Sequence, residues 1–480
     1  MKMFSRLLAG SLFFAGMYSP LLTQTANTAL RGSVSDPSGA VVSGAIVNLQ
    51  NLASGQQFTK KADARGEYVF SPIVPGEYRI TVSAAGFADQ SKQAEILVDQ
   101  PATINFSLGV QASAITVDVS ATAQTLNVTD ATIDNSVGNQ TIEALPMEGR
   151  NVPDLLSLQP GVLYLGRVIN QSTDSRSGAV SGARSDQSNV TLDGLDDNDQ
   201  TNGFAFTGVL RSTLDSTEEF RVTTTDANAD AGRSSGAQVS LVTKSGTNHL
   251  HGSMYEYNRN TLATANNWFN KQAELGQGLP NIPGKLIRNT FGGTFGGPVK
   301  RDKLFFFFNY EGQRTAENQQ VTQVVPTSLF RSGSVTYLSN SGATEVTPEI
   351  LNSSQVAQLD TPCIQNGVCP WGPGPNPNVL SYFNQLPVNN GFTEGDGYNT
   401  GSYSFSSPAP GSLNTSIVKL DYSPNDRQRL FVRGNLQKDT QLGTLNFPGQ
   451  PASTDLEDNN KGISAGHTWS ITPNLVNDLR

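Results

Sequence analysis

The sequence is poor in the residues that soft-metal and thiol chemistry require: 480 residues hold two cysteines and three histidines. A site of thiolate and imidazole ligands has too few side chains to draw on. Cys363 and Cys369 lie in a stretch rich in Pro, Gly and Asn (362–377), and in an exported protein their spacing reads as a small disulfide-closed loop. Charge is scarce as well: 15% of residues are charged, and 32 basic against 41 acidic residues leave a net charge of -9. No basic patch is available to hold a phosphate backbone, so nucleic acid is excluded as a partner. After the first residues no apolar run approaches the about 20 residues of a spanning helix, so any membrane role must use strands. There is no Gly-x-Ser-x-Gly elbow, no zinc-ligand pair and no histidine with a catalytic partner, so neither an enzyme nor a cofactor is expected.

Glycine and proline are plentiful, at 46 and 25 residues, alongside many Thr, Ser, Asn and Val. Such a composition favours strands joined by turns, and the length allows two to four domains. A mostly β protein is expected. Lys2 and Arg6 precede an apolar run from Leu7 to Tyr18, followed by Ser19, Pro20 and small residues through Ala29. This order predicts a secretory signal peptide over 1–26, cleaved between Leu22 and Ala29.

From Leu30 to Val110, short β-rich runs alternate with turn signals, the pattern of a compact sandwich. Alternation would bury Tyr68, Phe70, Tyr78, Ile80 and Val82. The linked motifs of this stretch are Gly32-x-Val34-x-Asp36-x-x-Gly39, Gly44-Ala45-x-Val47, Asp63-x-x-Gly66-x-Tyr68-x-Phe70, Pro75-Gly76-x-Tyr78 and Gly86-Phe87. Together they resemble the carboxypeptidase regulatory-like domain, a prealbumin-like β-sandwich, over 28–110. The resemblance implies a folding module without catalytic residues, with carbohydrate binding as an attached expectation. Either it docks a periplasmic partner or positions the segment after it, or it is a passive spacer.

A polar linker (111–131) follows, holding the short β-prone run Ile115, Thr116, Val117, Asp118, Val119. An extended strand with free edges can add to another protein's sheet. The run resembles a TonB box; it also reads as the last strand of the sandwich or as plain linker. Over 132–248 the pattern becomes mixed α+β, with short helices at Thr141–Leu145 and Val152–Leu158 and strands through Asn189–Gly194, Thr217–Val222 and Gly236–Asn248. Leu192-Asp193-Gly194 and Val242-Thr243-Lys244 resemble the plug domain of TonB-dependent receptors. The acidic run Asp193, Asp196, Asp197, Asp199 lacks EF-hand spacing, so the expected reading is a solvated acidic turn at the extracellular apex of the plug. Contact with a cationic ligand is the alternative.

From 249 to 480 the unit becomes the amphipathic strand, at Leu250–Asn258, Asn289–Pro298, Lys303–Glu311, Thr415–Tyr422, Gln428–Asn435 and Gly462–Ser470. Each has about the 9–11 residues and dyad pattern of a transmembrane barrel strand, although a soluble sandwich also alternates. Phe305 to Tyr310 reads as lipid-facing and ending in an interfacial girdle, Asp421 to Arg427 as a short turn, and Thr315 to Thr415 as one long polar insertion. His251-Gly-Ser, Tyr255-Glu-Tyr, Asn266-Asn-Trp-Phe269 and Gly293-Thr-Phe-Gly-Gly-Pro298 with Lys303-Leu-Phe-Phe-Phe resemble the Oar-like branch of TonB-dependent receptors. That resemblance implies an outer-membrane receptor that imports an unknown extracellular substrate, with outer-membrane lipid and an inner-membrane TonB-type energy-transducing protein as partners. A surface adhesion or structural protein is the alternative. Only six or seven strands follow the plug, against about 22 in such transporters, so an incomplete barrel and a fragment are expected.

Overall fold

The computed structural model describes residues 28–110 (except 99), 117–119, 132–164 (except 148 and 151), 178–198 (except 185 and 186), 209–227, 232, 236–339 (except 277 and 279), 347–367, 369–472 and 475–480. The expected signal peptide lies outside them.

The front unit is a two-sheet sandwich. Its strands are β1 (Thr28–Ser35), β2 (Ile46–Asn51), β3 (Gln57–Lys61), β4 (Glu67–Ile73), β5 (Gly76–Ser83), β6 (Gln90–Ile96), β7 (Ala102–Thr103) and β8 (Phe106–Ser107), with β9 (Val117–Val119) added at one edge. One sheet runs β4-β1-β7 with β8 also on β1; the other runs β3-β2-β5-β6-β9. Tyr68, Phe70, Tyr78, Ile80 and Val82 all point into the core, as their alternation requires. Each large side chain such as Phe70, Tyr78 and Phe106 contributes about 1.5–3 kcal/mol by leaving water. The Tyr68 hydroxyl stays paired inside, donating to the Ile104 carbonyl at 2.6 Å.

The middle unit begins with β10 (Ile133–Gly138), a helix (Asn139–Ala144) and a 3-10 helix (Val152–Leu158). Then follow β11 (Val162–Tyr164), β12 (Gly178–Val180), β13 (Ala183–Arg184), β14 (Asn189–Leu192), β15 (Leu195–Asp196), β16 (Thr217–Thr225) and β17 (Gln238–Thr243). Its main sheet has the order β10-β16-β17-β14-β15, with β14 parallel to β17. Ile142, Leu155, Leu156, Leu192, Phe220 and Val222 share its core, so the two short helices pack their apolar side on the sheet.

The third unit is a wall of long antiparallel strands. In chain order these are β18 (His251–Asn260), β19 (Leu286–Lys300), β20 (Leu304–Pro326), β21 (Val335–Ser339), β22 (Thr347–Leu351), β23 (Thr400–Pro408), β24 (Gly411–Asn425), β25 (Gln428–Gln437), β26 (Asp439–Leu442), β27 (Asp455–Asp458), β28 (Lys461–Thr472) and β29 (Leu475–Leu479). The wall runs β18-β19-β20-β24-β25-β28-β29, with β23 on the far part of β20 and β26 on β24. One end carries tight turns, at 301–303 and 426–427, and the other carries the long connections.

Two faces of this wall differ in kind. Val418, Leu420, Tyr422, Leu430, Val432 and Ile463 point outward, and Ile463 is 84% exposed. The alternate positions Thr415, Lys419, Arg433, Asn435 and Ser464 point inward and are buried against the middle unit. Polar inside and apolar outside is the reverse of a water-soluble sandwich and is the dyad pattern of a barrel strand in lipid.

Three local expectations need correction. Phe305 and Phe307 face inward and are buried, because they share parity with Asn309 and Glu311; only Phe306, Phe308 and Tyr310 belong to the outer side. The segment 315–415, expected as one long polar insertion, belongs in part to the wall: β20 continues to Pro326 and pairs with β23, and short helices at Ser353–Leu359, Thr361–Asn366 and Pro377–Gln385 lie in the connection. Beyond lipid neither face of a strand must be apolar, so no alternation marks it. Finally β24 runs to Asn425, which narrows the expected turn at 421–427 to Asp426 and Arg427.

Candidate functional site

The chemically richest region lies where the middle unit meets the inner face of the wall. Leu192 and Leu195 pair across a two-residue hairpin whose central residues, Asp193 and Gly194, have φ of 52° and 77°. A type I′ turn demands positive φ at both positions, which Asp-Gly supplies. The turn aims the Asp193 carboxylate at the wall. It accepts from the Thr243 amide at 2.9 Å, from Lys419 Nζ at 3.4 Å and from the Arg433 guanidinium at 3.1 Å. Lys419 also donates to the Thr243 carbonyl at 2.9 Å. Burial pushes the Asp193 carboxyl up, but Lys419 and Arg433 outweigh it and hold it below the ordinary carboxylate value.

The acidic run is therefore not a solvated turn. Asp193 and Asp197 are buried, while Asp196 is exposed and caps the Asn198 amide at 2.9 Å; Asp199 lies outside the described residues. Asp197 accepts the Leu210 amide at 3.0 Å, and its second oxygen is buried without a hydrogen bond. Burial pushes this carboxyl up to about 7, against the Leu210 amide and Arg433, which favour its charged form.

Two further clusters brace the same interface. Arg150, at a positive φ of 48°, pairs with Asp215 of its own unit and with Glu311 of the wall at 3.3 Å. Its guanidinium lies 4.8 Å from the Tyr255 ring centre and 4.4 Å from that of Tyr257, so cation–π attraction adds to the ion pair. Burial disfavours the charge on Arg150, but Glu311 and Asp215 outweigh it and raise its pKa. Arg211 is ion-paired with Asp439 and reaches the Thr415 hydroxyl at 3.1 Å. Thr213 completes the set with a 2.9 Å bond to Asn309.

The sequence reading missed Arg150, Arg211, Lys419, Arg433, Glu311 and Asp439. A signal existed for Lys419 and Arg433: each is a charge on the inward parity of a strand whose other parity is apolar.

At the tight-turn end, the sandwich packs against both other units. Asn248 bridges to the Ser54 carbonyl at 2.5 Å and to Asp302 at 2.7 Å, and Arg429 lies 4.8 Å from the Phe58 ring centre. Of the TonB-box-like run, Ile115 and Thr116 lie outside the described residues. Val117, Asp118 and Val119 form β9, parallel to Gln90, Ser91 and Lys92 of the sandwich edge. Cys363 and Cys369 are joined in a disulfide, as their spacing suggested. No group of three or more His, Cys, Asp or Glu suited to a metal occurs among the described residues.

Residues 242–480 match the family model of an outer membrane beta barrel domain, and residues 29–109 match that of the carboxypeptidase regulatory-like domain. The chain thus carries an outer-membrane barrel domain behind a regulatory-like sandwich. It is a homologue of the TonB-dependent transporter Oar of Myxococcus xanthus, to which it is 24% identical over 280 residues, covering 56% of this chain and 24% of the relative. The chain therefore spans about a quarter of the length of that relative. Among solved structures it is similar to the outer membrane transporter YddB from Escherichia coli, with 14% identity, a TM-score of 0.39, and 70% of this chain and 36% of that one covered. A ferric enterobactin receptor mutant from Pseudomonas aeruginosa gives 12% identity, a TM-score of 0.38, and coverage of 70% and 38%.

Proposed function

We propose that the chain is part of an energised outer-membrane transporter in which the middle unit is the plug. The observation that carries this reading is the buried ion-pair set around Asp193, Arg150 and Arg211, which seats that unit against the polar inner face of a wall whose outer face is apolar. Tight turns of such barrels face the periplasm, so the sandwich, with β9 on its edge, lies on the side reached by an inner-membrane TonB-type protein. That protein pairs with the run Ile115–Val119 by strand addition and pulls on the plug. An extracellular substrate enters from the opposite end, over the connection that carries the Cys363–Cys369 loop. Neither a cofactor nor a catalytic group takes part, and the absence of a histidine or cysteine ring argues against a bare metal as cargo.

A second reading, surface adhesion, draws on one feature: β20 is 23 residues long, about twice what crosses the bilayer, and holds an ordered platform beyond it. The two readings part on energy. In the complete gene product, residues 115–119 are deleted and growth is measured on a nutrient panel, carbohydrates first, for which loss of the gene is limiting. Growth lost on this deletion, and on dissipating the proton-motive force, supports transport; growth unaffected by both supports adhesion.

A further inference from the structure

The loop that leaves β6 is gripped by the plug in an unusual way. Val98 is fully buried, and its backbone amide donates to both carboxylate oxygens of Glu219, at 3.0 and 2.9 Å. Its carbonyl accepts from the Arg221 guanidinium at 2.8 Å. Glu219 and Arg221 stand two residues apart on β16, so one face of one strand presents an acceptor and a donor that match the backbone N–H and C=O of one residue, Val98. The same two side chains hold β10: Ser136 donates to Glu219, and Arg221 is ion-paired with Asp134. β10 is the edge strand of its sheet and follows directly on the linker.

We infer that Glu219 and Arg221 form a clamp that couples the sandwich to the first strand of the plug, so that peeling β10 loosens the plug's grip on the sandwich at Val98. A pull through the linker reaches Ile133 first and loads the strand from its end. Asp134 leaves Arg221, then Ser136 leaves Glu219. Each loss removes one of the bonds that orient the side chain gripping Val98, and charge-assisted bonds of this kind are the strong ones. The sandwich then loses its hold on the plug at Val98 as a consequence of the strand's departure, while the Asn248 bond to the Ser54 carbonyl is untouched. The source of the pull rests on the transport reading; the clamp does not.

Hydrogen exchange on the whole chain in detergent, without ligand or energy source, tests the clamp directly. The parent should protect the Val98 amide. Glu219→Gln combined with Arg221→Met should speed its exchange at least about tenfold, the loss expected for hydrogen bonds to charged groups. Asp134→Ala with Ser136→Ala touches neither hydrogen bond of Val98, yet should speed the same amide while the Leu241 and Val239 amides of β17 stay protected. Unchanged Val98 exchange in the first variant overturns the clamp, and unchanged exchange in the second overturns the coupling. Should β10 itself lose protection in the second, Ser136→Ala alone, which removes a single bond to Glu219, decides the coupling by the same criterion. Growth that survives deletion of 115–119 would remove the pull and leave these exchange results standing.

Discussion

The carboxylate of Asp193 lies 3.1 Å from the guanidinium of Arg433, a residue 240 positions later in the chain, and both side chains are almost fully buried. Lys419 lies at 3.4 Å from the same carboxylate, so one negative charge sits between two cations. This triad joins the middle unit to the wall, and its members lose water only in each other's company.

Removing the anion should therefore be costly. Asp193→Asn keeps an acceptor for the Thr243 amide but takes from Lys419 and Arg433 the carboxylate both are bonded to. Breaking a buried pair in this way costs about 3–5 kcal/mol. Exchange of the Thr243 amide and proteolysis of residues 132–248 in the mutant should both rise, whereas the sandwich core around Tyr78 should keep its parental protection. Parental behaviour of the middle unit would mean that the triad contributes nothing net.

Asp197 should make the interface sensitive to pH. Its folded pKa, about 7, lies above the ordinary 3.8, so the native state holds a proton that the unfolded chain releases. Stability from this group is full below about 3.8 and is lost as pH rises through about 7. Asp197→Asn cannot ionise. The mutant should gain on the parent between these values and keep a constant advantage above them, as read by denaturant midpoints at a series of pH values. A difference independent of pH would remove the assignment.

The Arg150 cluster can be partitioned by a double-mutant cycle. Arg150→Met and Glu311→Gln should each destabilise, and their combination should cost less than the sum by about 0.5–3 kcal/mol, the range for residues in one ion-pair network. Strict additivity would show that Asp215 and the two tyrosines hold Arg150 without Glu311.

The outer face offers a test of its solvent. Val418 is 46% exposed on the outer face of the wall. In water, Val418→Arg would stay within about 0.5 kcal/mol of the parent. Facing lipid near the bilayer midplane it should cost about 2–4 kcal/mol, measured by folding into vesicles.

Much of the architecture was legible before any coordinates. Tyr68, Phe70, Tyr78, Ile80 and Val82 declare their side of the sandwich because a strand turns alternate side chains to opposite faces, and a face leaving water must be apolar. The strand ending in Leu192-Asp193-Gly194 was legible too, but the two-residue hairpin made there, with positive φ at Asp193 and Gly194, came only with the structure. The wall strands announce themselves by the same dyad rule, and the paired cysteines by their spacing.

What the local pattern could not hold is which face meets what. The aromatic run 305–310 looks uniformly suited to lipid, yet parity sends Phe305 and Phe307 inward, and only the tertiary structure shows that this inner face is buried. The acidic run looks like a solvated turn because isolated charges prefer water. Its burial depends on Lys419 and Arg433, which the fold brings from 226 and 240 residues away. The sequence by itself thus determined the strands, the turns and the order of the units, all set by neighbours along the chain. The tertiary structure alone decided the pairing of buried charges and the grip of Glu219 and Arg221 on Val98, because a buried charge is stable only where a distant partner replaces its water.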